Sequence, residues 1–351
     1  MKEVSTLPPA KGGLGIQSLQ DGAPKQIAAS KAISASHVRS IKEQSSVLPE
    51  TAEGVKKQQQ SLKSARMKAK INQIDTNLPP DLLQHVLQAR DKGASSWLNS
   101  LPLKDQGLSL NKQDFRDSLR LRYNMPLTDL PSYCPCGSTF SVNHALSCKK
   151  GGFVARRHDG IRDLLTCLLS RVCKNVEAEP RLIPLDDETF DLRTANTSDN
   201  ARLDIKAGDF WTRGVTAFFD VRVTHVNSST NQNKPTASIF KEHEKEKKRK
   251  YQQRILEVEM GTFTPLVFGT NGGMGSDCQM FLKNLTNKLV LKTGEDYAST
   301  MSWIRTRLSF EILRSTMLCV RGSRRPFKNN FYSINDDFKL NNFITEINKN
   351  D

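Results

Sequence analysis

A chain of 351 residues in which 37% are apolar can fill one or two cores, which excludes a small disulfide-stapled scaffold. It contains no run of eighteen apolar residues, and its first residues, MKEVSTLPPAKGG, lack the apolar stretch of a secretory signal, so a soluble intracellular protein is expected. The formal net charge is +15, a field that attracts polyanions, with nucleic acid the first candidate partner and no membrane implied.

Residues 1–70 carry 12 Lys and Arg against 5 Asp and Glu, a net of +7 that leaves +8 for the remainder, so both parts are basic. This segment is rich in Ser, Lys, Gln, Ala and Gly and nearly free of aromatics, which predicts a disordered basic arm. From LPPDLLQHVLQARDKGASSWLNSLPL the apolar residues recur at helical spacing, with Pro80 and Asp81 as a helix start. NKQDFRDSLRLRYNMPL is a second helix, ended before Pro126, and together these form a small helical module over residues 78–130.

Next comes CPCGSTFSVNHALSC, in which Cys134, Cys136, His144 and Cys148 follow the spacing C-x-C-x7-H-x3-C. Three thiolates and an imidazole in two close pairs suit the tetrahedron that zinc prefers, and a four-ligand shell points to a structural site. The competing reading is a set of buried cysteines beside an incidental histidine, and the tight C-x-C start weakens the motif. Seven cysteines are an odd number, so reduced thiols fit better than a disulfide framework. The other four, Cys167, Cys173, Cys278 and Cys319, all fall at apolar positions on predicted helices and read as core.

Beyond this knuckle (131–152) the pattern changes. Ile161, Leu164, Leu165, Leu168, Leu169 and Val172 recur with helical period and predict an amphipathic helix. Three β-type runs follow, VEAEPRLI, ARLDIKAG and AFFDVRVTHV, then the charged helix FKEHEKEKKRKYQQRILEVE and the apolar strand FTPLVFG. Two more helices, DCQMFLKNLTNKLVL and YASTMSWIRTRLSFEILRSTMLCVRG, complete an α/β (α+β) domain of order α-β-β-β-α-β with trailing helices over 153–324. Residues 325–351 turn polar and Asn-rich and predict a tail.

Asp204 and Asp220 stand in two neighbouring β-runs. On a strand alternate residues share a face, so Asp220 and Arg222 point together and away from Val221 and Val223. A carboxylate among Phe218, Phe219, Val221 and Val223 needs a positive partner, and two such aspartates can hold Mg²⁺ through hard oxygen ligands. The competing reading is a pair of salt bridges, Asp204 with Arg202 or Lys206 and Asp220 with Arg222. Glu177 and Glu179 share one face of the preceding strand and are further candidates. Arg156, Arg157, His158 and Arg162 open a helix and read as phosphate contacts or as ordinary surface charge.

The α-β-β-β-α-β order with these aspartates resembles the core of the restriction-endonuclease-like nucleases and their D…(D/E)-x-K pattern. Asp204 and then Asp220-Val221-Arg222 would occupy it, with arginine where lysine is expected; arginine holds phosphate but carries protons poorly. Some members of that superfamily take the lysine from the following helix, where Lys247 or Lys248 would serve, with Tyr251 and Arg254 on the same helical face as nucleic-acid contacts.

GASSWLNSLPLKDQGLSL, FRDSLRLRY, CPCGSTFSVNHALSCKKGGFVARRHDGIRDL, ARLDI, FFDVRV, EVEMGTFTPLVF and LRSTMLCVRGSR resemble the C-terminal region of LINE-type, site-specific non-LTR retrotransposon proteins and retroelement-derived proteins of invertebrates. The likeness covers about residues 78–324. It implies structural Zn²⁺ on the cluster, catalytic Mg²⁺ on Asp204 and Asp220, a nicked DNA target, a nuclear location with cytoplasm as the alternative, and RNA as a second ligand. A reverse transcriptase would be encoded separately or lost, because neither Asp186-Asp187 nor Asp336-Asp337 has the aromatic hairpin context of a polymerase palm. The chain is then expected to be a fragment, a stand-alone derivative or the product of a decayed element. The alternative is a nucleic-acid-binding module with structural zinc whose nuclease is inactive.

Overall fold

The computed structural model describes residues 2–16, 18–46, 49–183, 203–232 and 234–324. Its elements in chain order are α1 (Lys2–Ser5), α2 (Leu19–Glu43), α3 (Pro49–Asn77), α4 (Pro80–Gln88), α5 (Lys112–Arg122), α6 (Val142–Ser147) and α7 (Phe153–Ser170). Then follow β1 (Lys174–Ala178), β2 (Ile205–Gly208), β3 (Thr216–Thr224), α8 (Thr236–Glu257), β4 (Thr262–Gly269), α9 (Ser276–Thr293) and α10 (Tyr297–Arg321). The chain is thus mixed α/β, with about ten helices and one small sheet among the described residues.

The sheet has the order β1-β2-β3-β4. Its first three strands pair antiparallel, and β4 lies parallel to β3, which requires a crossover; α8 provides it. Both faces are covered. Ile205, Ala207, Phe219 and Val221 pack with Ile161 and Leu165 of α7, Phe281 and Leu285 of α9 and Ile304 and Leu308 of α10. On the opposite face Phe218 meets Tyr251 and Ile255 of α8. A central strand buried on both sides reads as the near-continuous apolar run AFFDVRV, and this is why its one carboxylate stands out.

Residues 1–70 depart from the expected arm without structure. α1, α2 and most of α3 lie there, and Val4 and Leu7 are buried against Ile74, Val86 and Tyr123. Ala, Lys, Gln and Glu are good helix formers, so local propensity makes helices where no sustained apolar stripe exists. The few apolar anchors sit near the two ends of the segment, too sparsely to give a period. Much of α2 and α3 faces solvent, with Ile27, Ile41 and Leu62 exposed. The polar tail, Asp186-Asp187, Asp336-Asp337 and Arg202 lie outside the described residues.

Candidate functional site

Cys134, Cys136, His144 and Cys148 come together as the sequence predicts, with one ligand atom from each within 4.8 Å of all the others. A narrow turn closed by Gly137 N donating to Cys134 O carries the first pair; Gly137 adopts φ +94°, which a side chain would disfavour. The second pair is set by helix periodicity. Ser141 caps α6 by accepting from His144 N, and four residues later Cys148 closes the helix by donating its amide to His144 O at 2.8 Å. Cys134 Sγ stands 3.8 Å from Cys148 Sγ, and Cys136 Sγ 3.3 Å from His144 Nε2. Zinc–sulfur bonds of about 2.3 Å in a tetrahedron place sulfurs about 3.8 Å apart, so this group could hold a zinc ion. Hydrogen bonds from Ser138 hold the exposed Cys136 thiol down to about 6, favouring the thiolate that a metal needs. Of the remaining cysteines Cys278 and Cys319 are buried as expected, whereas Cys167 and Cys173 are half-buried.

The two aspartates also converge. Ile205 pairs with Phe219 at the end of the β2–β3 ladder, and Asp204 just before it donates its amide to Phe219 O at 3.2 Å while its carboxylate accepts from Val221 N, so Asp204 lies next to the two residues that flank Asp220. Asp220 itself looks toward α8, whereas Asp204 reaches toward α7. Asp220 is only 4% exposed. Lys247 of α8 donates to its Oδ1 at 3.0 Å and lies 2.8 Å from Oδ2 in an ion pair without hydrogen-bond geometry, leaving Oδ2 with no hydrogen-bond partner among the described residues. Burial pushes the Asp220 carboxyl up to about 6 against the pull of Lys247, and the nearby Asp204 charge adds to the rise.

Asp204 is held by different groups. Its Oδ2 accepts from Val221 N at 2.5 Å and lies 3.1 Å from His158 Nε2 of α7. Of the competing salt bridges, Lys206 pairs instead with Glu177 at 2.5 Å and Arg222 with Glu246 at 2.7 Å, and Arg202 lies outside the described residues. Burial opposes the charge on His158, but Asp204 and then Asp159 outweigh it and raise the imidazole to about 9. A histidine raised from its ordinary value of about 6.5 contributes stability that is fully present below that value and fades as pH rises through about 9. His158→Ala is therefore expected to flatten the dependence of thermal stability on pH between about 6.5 and 9, as checked by melts across that range. An unchanged slope would contradict the His158–Asp204 pairing.

Of the two candidate lysines, Lys247 turns inward to Asp220, while Lys248 lies 2.7 Å from Asp277. Several expected phosphate contacts are corrected by their surroundings. Arg157 is buried, donating to Leu146 O at 3.2 Å, and Tyr251 is buried against Phe263; neither offers a surface for a nucleic acid. Arg162 is surrounded by Asp159, Asp163 and Glu179, at 2.6 Å from the last, so its charge is already matched. Arg254 donates to Ile183 O at 2.9 Å. Arg156 remains on the exposed side of α7. Glu177 is in an ion pair with Lys206, while Glu179, paired with Arg162, is brought beside Asp204 by its amide, which donates to Asp204 O at 2.8 Å.

The pairing of His158 with Asp204 had no signal in the spacing, because the two stand 46 residues apart on different elements. The same holds for His225, which follows β3 and lies 2.9 Å from Asn143, the residue before His144. That contact lines a cavity of about 910 Å³ whose polar groups bond one another, Asn227 donating to Gln88 Oε1 at 3.1 Å and meeting His85 Nε2 at 3.2 Å. The cavity lies between the knuckle helix, the helical module, α10 and the end of the sheet, and these polar contacts sit within a largely apolar lining. No protein-family model matches the chain, and no curated protein matches it.

Proposed function

We propose that the chain is a metal-dependent DNA endonuclease of the restriction-endonuclease-like type, the nuclease and knuckle portion of a non-LTR retroelement protein, which nicks its target by phosphodiester hydrolysis. The observation that carries this reading is the reach of Lys247, from the helix after the strands, to a buried aspartate whose neighbour Val221 is hydrogen-bonded by a second aspartate, Asp204. The order α7-β1-β2-β3-α8-β4 supports it, because this is the order of that nuclease core. Arg222 cannot serve as the lysine and is occupied by Glu246; the amine of Lys247 fills that place.

Asp204 and Asp220 would supply hard oxygen ligands for a divalent cation such as Mg²⁺; Asp220 Oδ2 makes no hydrogen bond among the described residues and lies 2.8 Å from the Lys247 ammonium. Bound there, such an ion activates water and neutralises charge at phosphorus. Val221 N and His158 fix the Asp204 carboxylate. Lys247 holds a positive charge beside the site, where it would stabilise a phosphate oxyanion. DNA as the main partner, RNA as a second ligand, a separately encoded reverse transcriptase and nuclear action belong to the same proposal.

The test is nicking of supercoiled plasmid with Mg²⁺ or Mn²⁺. Nicking is expected in the native chain and lost in Asp204→Ala. Lys247→Met is expected to lose about a hundredfold in rate, the scale of one preorganised electrostatic partner, and Lys248→Met far less. The second reading, a binding module without catalysis, is favoured by the direct Lys247–Asp220 ion pair, which already satisfies much of the carboxylate. Salt-sensitive DNA binding without nicking in either metal would establish it.

A further inference from the structure

Arg157 and Arg324 are two buried guanidiniums, 2% and 5% exposed, and among the described residues their polar partners are carbonyls and a thiol rather than carboxylates. Arg157 Nη2 donates to Leu146 O at 3.2 Å and its Nη1 to Cys319 Sγ at 3.8 Å. Arg324 Nη2 donates to Ala145 O at 3.0 Å and to Cys319 O. Among the described residues the Nε atoms of both have no hydrogen-bond partner. Arg324 also lies over the rings of Phe153 and Phe140, at 5.1 and 5.5 Å. Both arginines thus converge on α6, on the carbonyls of the two residues that follow His144 and precede the end of the helix at Cys148.

A buried charge is costly unless something of opposite sign meets it, and carbonyl dipoles alone offset only part of that cost. One source of that counter-charge lies on the same helix. A divalent ion held by three thiolates and a neutral imidazole carries a net charge of minus one. It sits on the helix that the arginines grip.

We propose that Arg157 and Arg324 are positioning residues of the Cys134–Cys136–His144–Cys148 centre: they supply the positive charge that a metal–tris-thiolate group requires behind it, and lock the helix that presents His144 and Cys148. Occupancy of the centre and burial of the two arginines are then one coupled event. Groups beyond the ligands commonly tune metal affinity by about ten- to a hundredfold. The usual partners are hydrogen bonds to the ligands; here the effect acts through charge and through the helix backbone. The inference stands on the knuckle alone and is independent of the nuclease reading.

The test is a competition titration of the full-length protein with Zn²⁺ against a chromophoric chelator, together with the visible spectrum of the Co²⁺-loaded form. Arg157→Met and Arg324→Met, similar in length and uncharged, are expected to weaken Zn²⁺ about ten- to a hundredfold while the tetrahedral Co²⁺ bands keep their positions. Arg157→Lys and Arg324→Lys, which keep the charge, are expected to recover part of that loss. The second arm is a double-mutant cycle with Cys136→His, which makes the loaded centre neutral; the penalty of Arg157→Met should shrink in that background. Equal affinities for native and Met variants, equal losses in Met and Lys variants, or a penalty unaltered by Cys136→His would overturn the proposal. Should the Met variants fail to fold even with Zn²⁺, the Lys variants decide: folding with near-native affinity supports the charge role, and failure of these too overturns it.

Discussion

Asp220→Asn is expected to abolish metal-dependent nicking and, in metal-free protein at pH 7, to make the chain more stable. The two effects have one cause. Asp220 is 4% exposed and burial lifts its carboxyl to about 6. The folded state therefore holds the proton longer than the unfolded state does, and stability falls as pH rises from about 4 through about 6. Asparagine removes that slope without changing the shape of the side chain. At about 1.4 kcal/mol per unit, the gain at pH 7 is on the order of 1–3 kcal/mol, with the loss of the Lys247 pairing already counted in the elevated value. Nicking should fall by about three orders of magnitude, since a carboxylate ligand of the site is gone. Chemical denaturation at pH 4 and pH 7, beside a plasmid assay, checks both. A destabilised variant at pH 7 would mean that the Asp220–Lys247 pair serves the fold and is not held for a cation.

Stripping metal from the knuckle is expected to have the larger effect on structure. Residues 131–152 contain a six-residue helix and a single isolated bridge, Tyr133 with Thr139, which cannot order a segment by themselves. Their apolar side chains join a small cluster of Ala145, Leu146, Phe153, Cys319 and Val320 that also secures the end of α10. Zinc binding by such a segment is its folding free energy, about 10 kcal/mol or more in isolated zinc-finger peptides. A strong chelator should therefore produce an early unfolding transition, and Cys148→Ser should purify with little zinc and show the same transition. Elemental analysis and calorimetry with and without chelator measure these outcomes. A melt indifferent to chelator, in protein that carries no zinc, would show that the four side chains are ordinary packing.

Much of this architecture was legible in the chain because its signals are local. The Leu-rich period of IRDLLTCLLSRVC, the β-branched and aromatic run of FFDVRV, the i, i+4 spacing of His144 and Cys148 and the charged length of α8 each depend on neighbours within a few turns. Contacts between distant elements left no such mark. Nothing in the sequence indicates that His158 of α7 reaches Asp204, that Glu246 takes Arg222, or that Asp277 takes Lys248. Burial misled in the opposite direction at Arg157 and Tyr251, where charge and aromaticity suggested a nucleic-acid surface and the fold uses both inside. The first seventy residues show the limit of composition, because helix propensity and the lack of an apolar stripe point to different outcomes there.

The most direct test of the account is a crystal soaked in Mn²⁺ and measured for anomalous scattering. The account predicts one strong peak within coordination distance of both Asp204 and Asp220, with Lys247 moved off the Asp220 carboxylate. A map with no peak there, and with Lys247 still on Asp220, would contradict it.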